Sequence, residues 1–129
     1  MNKSVPDNRL RWLPYLFAAG AVFWLIELTQ FAAVLAAPNG RQQLIQTLAN
    51  TGLTHDAAAF LFVESVIVVF IEGCAIVLHA TAYYGLRRFR AWGWIAATIV
   101  SAGWSLVVVG IPVLVFLLRR HTRAAYGIP

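Results

Sequence analysis

The sequence predicts an all-α integral membrane protein, one membrane domain over residues 1–129 with three long transmembrane helices and a short interfacial helix. Three observations carry this. Three apolar runs, Trp12 to Ala37, Ala57 to Leu86 and Ala91 to Leu118, each exceed the roughly 18 residues at which a stretch becomes a membrane-span candidate. Hydrophobic residues make up 60% of the chain and charged residues 12%, with a mean hydropathy of +0.73, where soluble domains hold about 25% charged residues. The positive residues, nine Arg and one Lys against five acids, cluster at the ends of the apolar runs. That is a topology pattern, so the expected partner is a lipid bilayer and not a nucleic acid.

The elements follow in order. Residues 1–11 are polar, with Lys3, Arg9 and Arg11 as a positive flank. The first helix is expected over about 12–37; its 26 residues and the internal Glu27 separate it from a cleaved signal, whose apolar part is about 7–15 residues. Pro38-Asn39-Gly40 reads as a turn. The interfacial helix is expected over about 41–50, its apolar stripe formed by Leu44, Ile45, Leu48 and Ala49. Thr54 or Asp56 would cap the central helix, about 57–86, and His55 reads as a loop residue. Arg87-Arg88-Phe89-Arg90 is a tight basic connector. The third helix is expected over about 91–118, kinked at Pro112, before a polar tail.

Three runs of 26, 30 and 28 residues give helices of about 39, 45 and 42 Å, matched lengths that favour three tilted crossings. Trp12, Tyr15, Tyr83, Tyr84, Trp92 and Trp94 then form one aromatic belt on the side of the N-terminus, which is read as cytoplasmic. The charges favour a different count. Three crossings leave Lys3, Arg9, Arg11, Arg87, Arg88 and Arg90 inside but Arg41, Arg119, Arg120 and Arg123 outside; a fourth crossing, made by reversing the last run near Gly110-Pro112, would leave only Arg41 outside. Three crossings are preferred because a reversal among Val107, Val108, Val109, Gly110 and Ile111 has no polar side chain to satisfy its backbone in lipid.

Ionisable side chains inside such helices are the site hypotheses. Ser65, Glu72 and His79 recur every seven residues along the central helix, within about 20° of one stripe; Glu64 lies off it, near the outer interface. Counting about 1.5 Å per residue from the shared belt puts Glu27 at about 24 Å, Glu72 at about 22 Å, Ser105 at about 21 Å, Ser101 at about 15 Å and His79 at about 12 Å. Gln30 lies one turn from Glu27, Gly20, Trp24, Glu27 and Phe31 share a face, and Trp104 neighbours Ser105. The expected ligand- or proton-binding set is therefore Glu27, Glu72, His79, Glu64, Gln30, Trp24, Ser105 and Trp104. Glu27 and Glu72 would face protein and share a proton unless a cation joins them, His79 would relay protons to the cytoplasmic interface, and the two tryptophans would suit a cationic amine. The rival reading makes these groups interhelical hydrogen bonds that fix packing. Gly73, Gly103 and Gly110 are expected to permit close helix approach.

No Gly-rich phosphate loop, nucleophile elbow or Cys/His metal spacing occurs, and Glu72 to His79 is the wrong interval for a di-iron Glu-x-x-His pair. No metal is expected. Cys74 stands alone in the sequence and reads as a small buried hydrophobe.

The stretch from about residue 84 to 126, with Gly85-Leu86-Arg87-Arg88, Trp92-Gly93 and an apolar run ending in Arg119, resembles many small bacterial membrane proteins, which implies an inner-membrane, multi-pass location. Glu27 and the Leu61-Phe62-Val63-Glu64 opening of the second helix resemble the emopamil-binding, sterol-isomerase type of helical membrane protein. That resemblance implies binding of a sterol or amine by intramembrane acids, although that family has four crossings and a longer chain. The leading expectation is binding or proton-coupled transport of a small apolar or cationic ligand, lipid-like or an amine. The alternatives are an accessory subunit of a larger membrane complex and a membrane enzyme isomerising or cyclising a lipid. In each, a homo-oligomer or partner membrane subunits would complete a bundle too small to enclose a cavity alone.

Overall fold

A computed structural model describes residues 10–52 and 56–129; Lys3 and Arg9 of the positive flank, with Thr54 and His55, lie outside the described residues. The described chain is all-helical: α1 (Leu13–Ala36), α2 (Pro38–Asn50), α3 (Ala57–Arg87), α4 (Ala91–Ser105), α5 (Gly110–Leu118) and α6 (Arg120–Ala125). Two helices, α1 and α3, are long and apolar enough to cross a membrane. At 24 and 31 residues they measure about 36 and 46 Å.

The expected third crossing is not a single kinked helix. The run from 91 to 118 breaks at Leu106–Val109 and turns back on itself. Trp94 Nε1 donates to the carbonyl of Leu117 at 2.9 Å, and Gly110 lies against the backbone of Ser101, Trp104 and Ser105, pairings that define an antiparallel hairpin of α4 and α5. At 15 and 9 residues these helices reach about 22 and 14 Å, and neither spans an apolar core of about 30 Å. The objection that a reversal here would orphan its backbone is met locally for five N–H groups. Leu106, Val107 and Val108 donate to Gly103, Trp104 and Ser105, Val109 donates to Val107 at 2.8 Å, and Ile111 donates to Val108. Val108, at φ 69, is the centre of a γ-turn of the strained kind. Pro112 sits in the first turn of α5, where a missing N–H leaves no bond unmade.

The turn expected at Pro38-Asn39-Gly40 is also displaced. Pro38 is the first residue of α2, and Ala37, extended at φ −77 and ψ 124 as a residue before proline tends to be, carries the change of direction alone. Gly40 packs on the Val34 carbonyl, where a Cβ would clash. The half-buried residues of α2 are Gly40, Leu44, Ile45, Leu48 and Ala49. Asp56 occupies the N-cap position of α3, its carbonyl accepting from Phe60 N at 2.9 Å.

The chain divides into two compact units, Met1–Val22 with Ala75–Pro129, and Phe23–Cys74. The first holds a buried cluster of Leu13, Phe17, Ala82, Leu86, Ala96, Ala97, Val100, Leu117 and Tyr126. Its small residues bring helices into contact: the backbones of Gly85 on α3 and Gly93 on α4 touch. The α3–α4 connector turns at Phe89, whose φ of 50 is left-handed; the Phe89 ring stacks on Tyr126 with centroids 5.5 Å apart. Burial pushes the Tyr126 phenol up to about 12, so it stays neutral at physiological pH. Four residues of the expected belt meet pairwise in this unit, Tyr15 with Tyr83 at 6.4 Å and Tyr84 with Trp92 at 6.1 Å, and Arg88 lies 4.3 Å from the centre of the Tyr84 ring. Of the glycines expected at close approaches only Gly110 is at one; Gly73 and Gly103 have no atom that a Cβ would meet.

Candidate functional site

The residues singled out by sequence fall into two groups. In the first unit His79 is the centre. It is buried on α3, 4% exposed, and both ring nitrogens are engaged. Nδ1 lies 2.7 Å from the carbonyl of Ala75 one turn back, and Trp104 Nε1 donates to Nε2 at 3.0 Å. An indole N–H can only donate and a carbonyl can only accept, so these bonds fix the neutral tautomer carrying its proton on Nδ1. In this arrangement Nε2 spends its lone pair on the Trp104 N–H.

Neighbouring helices hold the imidazole. Phe17 on α1 lies 6.3 Å away by ring centroid, Trp104 meets it edge-on at the same distance, and Gly20 faces the ring so closely that a Cβ would overlap it. Ser105 Oγ donates to the Ser101 carbonyl at 2.7 Å, a back-bond within its own helix. Sequence reading placed Gly20 on a face with Trp24, Glu27 and Phe31 but missed its contact with His79; the one available signal was a glycine in an apolar helix with no turn to make.

We expect Trp104→Phe to destabilise the protein by about 1–2 kcal/mol, because it leaves a buried acceptor on His79 without a donor while keeping most of the ring. Ser105→Ala should be near neutral. Reversible denaturation of the detergent-solubilised variants checks this, and equal effects at the two positions would contradict the assigned roles.

The acids belong to the second unit. Glu27 and Gln30 on α1 are exposed, as is Glu64 on α3. Trp24 is half-buried, edge-on to Phe23 with ring centroids at 5.8 Å. Glu72 is half-buried, and its Oε2 is buried with no hydrogen-bond partner. Cys74 is free and exposed, not buried as expected: it lies on a face of α3 that the chain itself does not cover. Among the described residues no group of His, Cys, Asp and Glu could hold a metal ion. An open apolar groove of about 610 Å³ in this unit is lined by Leu35, Arg41, Leu61, Phe62, Ser65 and Phe70 among others, and by none of the acids. Arg41 in this role was not legible, since in sequence it is a polar residue after a turn. Compared with known protein families, curated proteins and solved structures, the chain matches none.

Proposed function

We propose that this chain is a small multi-pass protein of the bacterial inner membrane, with its N-terminus cytoplasmic, that works as a subunit of a larger membrane assembly. Support for the membrane comes from surface chemistry. In α1 and α3 the most apolar stretches are 0% and 6% buried, with Phe23, Leu25, Ile26, Phe62, Val66, Ile67, Phe70 and Ile71 exposed. A core helix of a soluble protein hides such residues; a bilayer solvates them. In this reading α1 and α3 cross, the α4–α5 hairpin enters and returns, and both ends of the chain lie on one side. All Lys and Arg except Arg41 then lie on the cytoplasmic side, which relieves the charge imbalance of the three-crossing arrangement.

The observation that carries the assembly reading is the pair of acids on the apolar helix α3, Glu64 exposed and Glu72 half-buried at mid-helix. A carboxyl facing lipid at mid-helix is disfavoured by about 2.5–3.5 kcal/mol even on the mildest scale, so a lone chain would be poorly solvated on this face. A partner subunit packed on α3, either a second copy or another membrane protein, takes the exposed Glu64 and the exposed part of Glu72 out of lipid. The rival reading is ligand binding, with a cationic amine as the occupant at Glu72.

Glu72→Gln is expected to leave the helical circular dichroism unchanged while reducing, several-fold, the fraction of protein that migrates in a defined complex after mild-detergent extraction. Wild type running as a bare monomer overturns the assembly reading. An intact complex in the variant, together with loss of bound lipophilic amine, shifts the role to ligand binding.

A further inference from the structure

The groove of the second unit has the shape and charge of a lipid site. It follows α3 from Ala58 to Phe70, about 18 Å at 1.5 Å per residue, slightly more than one leaflet's share of an apolar core of about 30 Å. Leu35 of α1, Leu61, Phe62 and Phe70 give it apolar walls, and its volume of about 610 Å³ lies within the range of about 300–1,000 Å³ usual for small-molecule sites. Among the described lining residues Ser65 carries the one hydroxyl, and its Oγ already donates to the Leu61 carbonyl at 2.6 Å. Among the described lining residues one is a cation, Arg41 in the first turns of α2.

Arg41 is the only Lys or Arg between residues 23 and 74, and it is exposed. Asp56 and Glu64, close by in sequence, do not line the groove, so its own formal charge is positive. An arginine lining an apolar groove can lay its stem along hydrocarbon and offer its guanidinium to a phosphate, bidentately. We propose that the groove binds one acyl chain of an anionic phospholipid, with the headgroup phosphate on Arg41. This rests on the membrane placement proposed above and not on the partner subunit.

Native mass spectrometry of the full chain, released from detergent with equal amounts of dioleoyl-phosphatidylglycerol and dioleoyl-phosphatidylcholine, tests it. Wild type should retain one lipid with about a five-fold preference for the anionic one, the ratio given by one arginine–headgroup attraction of about 1 kcal/mol. Arg41→Gln should bind lipid without preference, and Ala58→Trp, which fills an exposed wall position, should lose lipid several-fold, both with unchanged circular dichroism. Equal retention of the two lipids by wild type, or unchanged binding in both variants, overturns the proposal. So does inorganic phosphate competing as well as the lipid, or a dimer that Ala58→Trp dissociates, which would give the groove to a second copy. Complex formation through Glu72 is read separately on gels, so failure of the lipid site and failure of the assembly reading are distinguishable.

Discussion

Gly110→Leu is expected to open the α4–α5 hairpin, and Gly110→Ala to weaken it by about 1–3 kcal/mol or more. Any Cβ at this position would fall against the carbonyl oxygen of Ser101, the nitrogen of Ser105 and the carbonyl carbon of Trp104. These are backbone atoms of the facing helix, so no side chain can swing aside to relieve the overlap. Alanine would gain about 1 kcal/mol of helix propensity over glycine, but that gain is smaller than the steric cost of forcing two backbones apart. Val108→Gly supplies the opposite sign. Val108 is a β-branched residue at φ 69 and is 70% exposed, so replacing it relieves strain of about 1–2 kcal/mol and removes little packing.

The hairpin also makes this prediction visible as topology. In a Cys74→Ser background, Val107→Cys at the tip should resist membrane-impermeant maleimide from both sides, and Ala125→Cys should be labelled from the same side as Arg88→Cys. Adding Gly110→Leu should lower the yield of this labelling pattern or move Ala125→Cys to the opposite side. Finding Ala125→Cys on the opposite side in the otherwise native chain would sink the re-entrant arrangement and restore a full third crossing.

The helical class was legible because long apolar runs without strand punctuation leave few alternatives, and the regular structure of the described residues is helical throughout. The reversal at Leu106–Val109 was not, for a physical reason. Leu, Val, Val and Val carry no turn chemistry, and periodicity does not distinguish one apolar helix from two short ones laid side by side. The signal was Gly110-Ile111-Pro112, whose glycine marks the close approach and whose proline marks the first turn of a new helix, a role open to proline as readily as a kink. At the site, the seven-residue spacing of Ser65, Glu72 and His79 singled out positions that are half-buried, half-buried and buried. The partner of His79 was out of reach. Counting residues from the belt separates Trp104 from His79 by about 8 Å in depth, yet they are hydrogen-bonded, because the count assumes parallel helices and ignores the reach of an indole. The acids were visible as costly residues, but which neighbour satisfies them is not written in one chain if the neighbour is another chain.

The second large effect is expected at the contact of Gly85 with Gly93. A Cβ on Gly93 would overlap the carbonyl carbon and Cα of Gly85, and a Cβ on Gly85 would overlap Gly93 Cα and press on Trp92. These glycines are placed by a connector with little slack. Arg90 N donates to the Gly85 carbonyl at 2.9 Å and Phe89 N to the Leu86 carbonyl at 3.1 Å, while the Phe89 ring is held on Tyr126. Moving α4 away from α3 to admit a methyl group therefore strains the connector and loosens Leu86, Ala96 and Ala97 in the buried cluster. Gly93→Ala should cost about 2–3 kcal/mol, towards the upper end of overpacking effects, and Gly85→Ala a similar amount. Gly73→Ala and Gly103→Ala, where a Cβ meets nothing, should be neutral or stabilising by up to about 1 kcal/mol. The two pairs share one chemical change and differ only in what stands opposite, so the contrast isolates the backbone contact from helix propensity. Thermal melts of the four purified variants decide it, and four equal shifts would mean that α3 and α4 do not meet at these glycines.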